Sequence, residues 1–121
     1  MRALALLLAL LLVAPAWAEP LRVIDGDTLA LGGERIRIIG IDAPELPGRC
    51  AREAVLGRRA AERLAALLAD GARIERRGRD RFRRTLAIVR TAAGRDVAQV
   101  LIAEGLARPY RGRGPRPGWC P

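Results

Sequence analysis

Leu21-Arg22-Val23-Ile24-Asp25-Gly26-Asp27-Thr28-Leu29-Ala30-Leu31-Gly32-Gly33-Glu34-Arg35-Ile36-Arg37-Ile38-Ile39-Gly40-Ile41 is the stretch from which the fold follows. It divides into three runs rich in branched apolar residues, at positions 21–24, 28–31 and 35–41. Asp25-Gly26 separates the first two and Gly32-Gly33 the second pair, and both dipeptides favour the tight turns of β-hairpins. In the third run Ile36 and Ile38 fall on one face and Arg35 and Arg37 on the other, because side chains alternate along a strand. Three consecutive antiparallel strands are the expected start of the domain.

Downstream, Pro44, Pro47 and Gly48 mark a loop. A helix is predicted over residues 51–69, where Gly57, Ala60, Ala61, Leu64, Leu67 and Leu68 recur at three- and four-residue steps and form one apolar stripe. Arg52, Arg58, Arg59, Glu62 and Arg63 fall largely off that stripe, and Gly71 supplies a stop. A polar strand at 73–77, an arginine-dense loop at 78–84 and an apolar strand at 85–90 follow. After a turn at 92–95, Asp96 caps a second helix over 97–104. The Gly-, Pro- and Arg-rich tail from Pro109 to Pro121 reads as irregular. Three strands, a helix, two strands and a helix give an α+β class. The architecture expected is a five-stranded oligonucleotide-binding-type β-barrel with two packed helices. Aromatic residues are only 3% of the chain, which excludes broad base-stacking platforms.

The N-terminus reads differently. Arg2, the apolar run from Ala3 to Val13 and the small-x-small end Ala16-Trp17-Ala18 form a secretory signal pattern. The run is far short of the roughly 20 apolar residues that span a bilayer, so no stable membrane association is expected. Residues 1–18 are therefore assigned to a signal peptide and 19–121 to one domain, secreted or periplasmic and monomeric. In an oxidising compartment Cys50 and Cys120 are expected to form a disulfide, free thiols or an intermolecular bridge being the alternatives. Two cysteines without a histidine make a poor zinc site.

The formal charge is +9, and loss of Arg2 with the signal leaves +8. All basic residues are arginine, as the chain contains no lysine. This excess points to a polyanionic partner: nucleic acid, anionic lipid or polysaccharide. The chain also lacks His and Ser, which excludes histidine acid–base pairs, serine triads and Schiff-base lysines. Catalysis would have to rest on carboxylates, arginines, tyrosine, cysteine, backbone groups or a metal.

Three clusters could supply it. Asp25-Gly26-Asp27-Thr28 sits at the first hairpin; Asp25 is read as a turn residue, whereas Asp27 opens a strand, where an acid is disfavoured. Arg37-Ile38-Ile39-Gly40-Ile41-Asp42-Ala43-Pro44-Glu45 places two carboxylates at a strand end. With Asp27 they could form an oxygen cage for a hard divalent cation. Asp80-Arg81-Phe82-Arg83-Arg84-Thr85-Leu86-Ala87 puts arginines just before a buried strand, where Arg84 could grip two phosphate oxygens at once.

These clusters, in this order and spacing, resemble the staphylococcal-type thermonuclease family from about Val23 to Tyr110. The helix pattern Gly57, Ala60, Leu64 and the closing Asp96-Val97, Leu101-Ile102, Gly105-Leu106-Ala107 belong to the same resemblance. It implies a barrel of the kind described and calcium-dependent hydrolysis of DNA and RNA that leaves 3′-phosphate ends. It further implies that Asp27 and Asp42 ligate Ca2+, with Ala43 giving only its backbone carbonyl. Glu45 would orient or deprotonate the attacking water, and Arg37 and Arg84 would hold the scissile phosphate. Tyr110, Phe82 and Arg83 fall where the family contacts substrate. Phe82 replaces a common Tyr, however, and Arg83 a usual Gly, which leaves the choice between Arg83 and Arg84 open. The rival from another class is a catalytically inactive polyanion- or nucleic-acid-binding barrel. Such a module would need the arginines but gain nothing from Asp27, Asp42 and Glu45, which repel phosphate.

Overall fold

A computed structural model of the chain describes residues 20–121. The expected signal segment at 1–18 lies outside them. Strands β1 (Leu21–Asp25), β2 (Thr28–Leu31) and β3 (Glu34–Ile38) form the two successive hairpins that Asp25-Gly26 and Gly32-Gly33 dictate. The third apolar run does not continue as one strand. Gly40 adopts φ +93°, a conformation glycine takes without steric cost, and the chain turns before β4 (Ile41–Asp42).

Helix α1 (Ala51–Leu67) opens at Cys50, whose Sγ accepts from the Glu53 N–H at 3.4 Å. Gly57, Ala60 and Leu64 of its apolar stripe are buried. Strands β5 (Ala72–Arg79) and β6 (Thr85–Thr91) pair antiparallel, followed by α2 (Val97–Ala103) and the short β7 (Arg108–Pro109). The Asp96 carboxylate caps α2 by accepting from Ala98 N–H at 2.9 Å. Among the described residues no helix is long and apolar enough to cross a membrane.

The main sheet runs β1-β2-β3-β6-β5, with β3 and β6 parallel and the other pairs antiparallel; β4 and β7 pair separately. The closed barrel expected from the element order is not formed. Strands β1 and β5 are edges with no ladder between them. A physical reason lies in β5: from Glu75 to Arg79 every residue is exposed, on both faces, and three of the five are arginines. A strand charged on both faces cannot close a sheet around an apolar interior, and such charge also keeps an open edge from pairing with other chains. The core lies between the sheet and the helices, around Leu29, Ile36, Ile38, Ile41, Leu64, Val89, Val97 and Leu101.

The tail is irregular after β7 but firmly attached. Cys50 and Cys120 form the expected disulfide, with Cα atoms 6.0 Å apart across 70 residues of sequence. The Arg108 guanidinium lies 3.8 Å over the ring of buried Trp119 and donates to the carbonyls of Pro117 (3.1 Å) and Gly118 (2.9 Å). Tyr110 N–H donates to Gly40 O at 2.9 Å, and its hydroxyl donates to Gly114 O at 3.2 Å.

Candidate active site

Close packing brings the two acidic clusters together. A Cβ on Gly26 would stand 2.7 Å from Ala60 Cβ and 2.8 Å from Ala43 Cβ, so only glycine lets the hairpin turn meet helix and loop. Asp27 follows directly. Its Oδ2 accepts from Ala43 N–H at 2.8 Å and its Oδ1 from the Thr28 hydroxyl at 3.0 Å. The first acid is thereby tied to the segment carrying Asp42 and Glu45. Arg37, opposite Thr28 in the β2–β3 ladder, places Nη2 3.4 Å from Asp27 Oδ2. The guanidinium is buried and donates to Ile38 O (3.0 Å) and Ile41 O (2.9 Å), which fixes its plane.

Glu45 sits on a loop held from behind by α1. A Cβ on Gly57 would come within 2.8 Å of the Glu45 carbonyl oxygen, so the helix passes directly beneath it. Fully buried Glu53 clamps the same loop further on, accepting from Arg49 N–H (2.8 Å), Nε (3.0 Å) and Nη2 (3.0 Å). The Arg49 guanidinium hydrogen bonds, ahead of an opposing effect of burial, hold the Glu53 carboxyl down to about 2.

Arg84 enters from the β5–β6 hairpin. Asp80 Oδ1 accepts from the N–H groups of Phe82 and Arg84, each at 2.9 Å, and Oδ2 accepts from Arg84 Nε at 2.7 Å. Burial alone would raise the Asp80 carboxyl, but these donors together hold it below its ordinary value. Arg83 closes the loop with φ +65°. Asp80 N–H donates to Arg84 O at 3.0 Å, which leaves residues 81–83 as a three-residue turn, and such a turn ends in a left-handed position where glycine is usual.

The result is a small polar cavity of about 190 Å³ lined by Asp25, Asp27, Arg37, Glu45, Arg84 and Arg116, among others. Asp25 accepts from Asp27 N–H at 3.1 Å, the turn contact expected of it, but it also faces this cavity. Burial first, then the neighbouring Asp27 carboxylate and more weakly Glu45, push the Asp25 carboxyl up to about 7. A groove of about 1100 Å³ adjoins, lined by Ile39, Phe82, Tyr110, Arg111 and Arg113 among others. Arg83 lines neither space.

Asp42 lies beside the cavity rather than in its lining, and its Oδ1 faces Arg116 Nη1 at 3.3 Å. Among the described residues no three acidic side chains stand together as a ready chelating group. The donors on hand are the buried Asp27 and Asp42 carboxylates and the Ala43 carbonyl. Oxygen-only, anionic donors suit a hard cation that completes its shell with water. In chemical kind, though not as an assembled cage, these donors fit calcium.

Three residues at the site had been given no role from the sequence: Arg116, Asp80, though it opens the third cluster, and Glu53. Asp80 could have been found from its four-residue spacing to Arg84. Arg116 had a subtler signal: Cys50 lies five residues beyond Glu45 and Cys120 four beyond Arg116, so a bridge between the cysteines brings the two together.

Residues 35–118 match the family described as staphylococcal nuclease homologue. Among curated proteins, the chain is 32% identical to "Protein ParB" of Escherichia coli, over 94% of this chain and 71% of the relative. It is 39% identical to "Succinoglycan biosynthesis protein ExoI" of Rhizobium meliloti (strain 1021), over 85% of this chain and 60% of that protein.

Proposed function

The chain belongs to the staphylococcal nuclease homologue family, and on that footing we propose that it is a calcium-dependent nuclease hydrolysing phosphodiester bonds of DNA or RNA. The observation that carries this reading is the single cavity flanked by Asp27, Arg37, Glu45 and Arg84. Acids and guanidinium groups face one another across it, as a phosphate-binding surface alone would not require.

The chain's own residues divide the work as follows. Arg37, with its plane fixed by two carbonyls, and Arg84, aligned by Asp80, grip the phosphoryl oxygens and neutralise the charge that builds on them. Glu45, half exposed at the cavity mouth, takes a proton from an incoming water, whose oxygen bonds to phosphorus. The bond from phosphorus to the 5′ oxygen breaks on the far side, that oxygen takes a proton from solvent, and a 3′-phosphate remains. Asp27, Asp42 and the Ala43 carbonyl would hold the cation, which when bound supplies Lewis-acid stabilisation of the phosphoryl oxygens. Phe82 and Tyr110, across the wider groove, offer apolar and hydroxyl contacts to a flanking nucleotide. Export to an oxidising compartment belongs to the same proposal and is supported by the disulfide.

The test is cleavage of single-stranded DNA by the purified protein with calcium and with a chelator, beside Glu45→Gln. Calcium-dependent cutting is expected, and the variant should bind the strand yet cut 10²- to 10⁴-fold more slowly, on the order of a general base's contribution. Cutting that persists under chelation would exclude calcium. Tight binding without cutting by the parent would mean a binding module instead.

A further inference from the structure

Among the described residues, three line both the small cavity and the wide groove: Arg37, Arg84 and Arg116. The boundary between the two spaces is thus set with three arginines, one on β3, one on the β5–β6 loop and the third on the tail. Arg116 Nη1 lies 3.3 Å from Asp42 Oδ1 and 3.7 Å from Glu45 Oε1. Its side chain is 47% exposed, and among the described residues its Nε and Nη2 meet no acceptor. Several of its N–H donors are therefore left without a partner, on a side chain that lines both spaces.

The tail is held in this place from both ends. Residues 110–117 form a closed loop. It is fastened at one end where Tyr110 meets Gly40, and at the other by Arg108, Trp119 and the Cys50–Cys120 bridge. Cys50 is also the cap residue of α1, so the bridge fixes Arg116 relative to the helix that supports Glu45.

We propose that Arg116 is a third phosphate-binding residue of the site, presented by a disulfide-fastened loop, and that its hold on substrate depends on that bridge. This rests on the nucleic-acid reading above. Without substrate the guanidinium rests against Asp42 and Glu45. A phosphate entering between the cavity and the groove meets Arg37, Arg84 and Arg116 together, and the free Nε and Nη2 donors of Arg116 turn to its oxygens. A contact of this kind is charge-assisted and two-pronged, so its loss weakens binding by about tenfold.

The experiment measures anisotropy of a fluorescently labelled short single-stranded oligodeoxynucleotide, in chelator so that nothing is cut. Proteins compared are the parent, Arg116→Ala, Arg116→Lys and, as a control for net charge, Arg58→Ala on the exposed side of α1. Arg116→Ala should bind about tenfold more weakly and show a salt dependence shallower by about one phosphate contact. Arg116→Lys should fall between, and Arg58→Ala should stay near the parent. A thiol reductant should weaken the parent to nearly the level of Arg116→Ala and leave that variant unchanged, with circular dichroism confirming that all remain folded. Equal affinity of parent and Arg116→Ala, or tighter binding by the variant, overturns the proposal. So does a reductant effect of the same size in both. Cleavage of the same strand by the parent in calcium is recorded alongside. No cutting together with a tenfold loss in Arg116→Ala would end the hydrolase reading but keep the phosphate contact.

Discussion

At the scale of single residues, the site is built from side chains whose freedom has been removed by local hydrogen bonds. Arg84 is the clearest example, since the Asp80 carboxylate binds both its N–H and its Nε. Sequence left the choice between Arg83 and Arg84 open because an arginine at a usual glycine position leaves the path of the loop unread. The structure points Arg84 at the cavity and turns Arg83 away, with φ +65°. That conformation crowds the Arg83 Cβ, at a cost of about 1 kcal/mol, which glycine avoids. Arg83→Gly is therefore expected to raise the urea midpoint by a stabilisation of roughly 0.5–1 kcal/mol with cleavage little changed. A lower midpoint, or loss of cleavage comparable to Arg84→Ala, would show that the loop path or the role of Arg83 has been misjudged.

Among the elements, α1 positions more chemistry than its own residues perform. Its stripe at Gly57, Ala60 and Leu64 was legible because a 3.6-residue period survives any tertiary context. The same period could not reveal that Gly57 is the contact point with the Glu45 carbonyl, because glycine on a stripe looks like any small residue. Gly57→Ala places a methyl group 2.8 Å from that oxygen and 3.0 Å from Leu46 Cδ2, so loop or helix must move. Overpacking of this sort costs about 1–3 kcal/mol. The expected outcome is a lower melting temperature together with a fall in turnover larger than the fall in strand binding, since Glu45 moves and the arginines do not. Unchanged turnover would mean that Glu45 does not depend on this contact. The hairpins were equally legible, as turn dipeptides act locally. The break at Gly40 and the unclosed sheet were not, because they depend on which distant strands meet. Strand β5 can be seen as a poor closing partner only once its neighbours are known.

For the molecule as a whole, carboxylates held by arginines make stability sensitive to acid. Glu53 is held at about 2, chiefly by the Arg49 guanidinium, and Glu34 at about 2 by Arg76 and then the Thr85 hydroxyl. Both ordinarily titrate near 4.5. The unfolded chain thus takes up these protons first, so the stabilisation is complete above about pH 4.5 and disappears as pH falls through about 2. Glu53→Gln should lower the urea midpoint clearly at pH 6 and progressively less toward pH 2, where the parent carboxyl is itself neutral. A difference that stays constant over that range would indicate lost shape rather than lost charge. The tail contributes on this scale too: in the loop-entropy description, a bridge across 70 residues is worth about 4 kcal/mol. Its attachment also has an optical consequence. The chain has two tryptophans, Trp17 in the expected signal segment and Trp119 beneath Arg108, next to the bridge. In a protein lacking residues 1–18, Trp119 is the sole indole, enclosed when the strap is fastened and wetted when it comes loose. The colour of its emission would then report, without any added dye, whether the third arginine is in place.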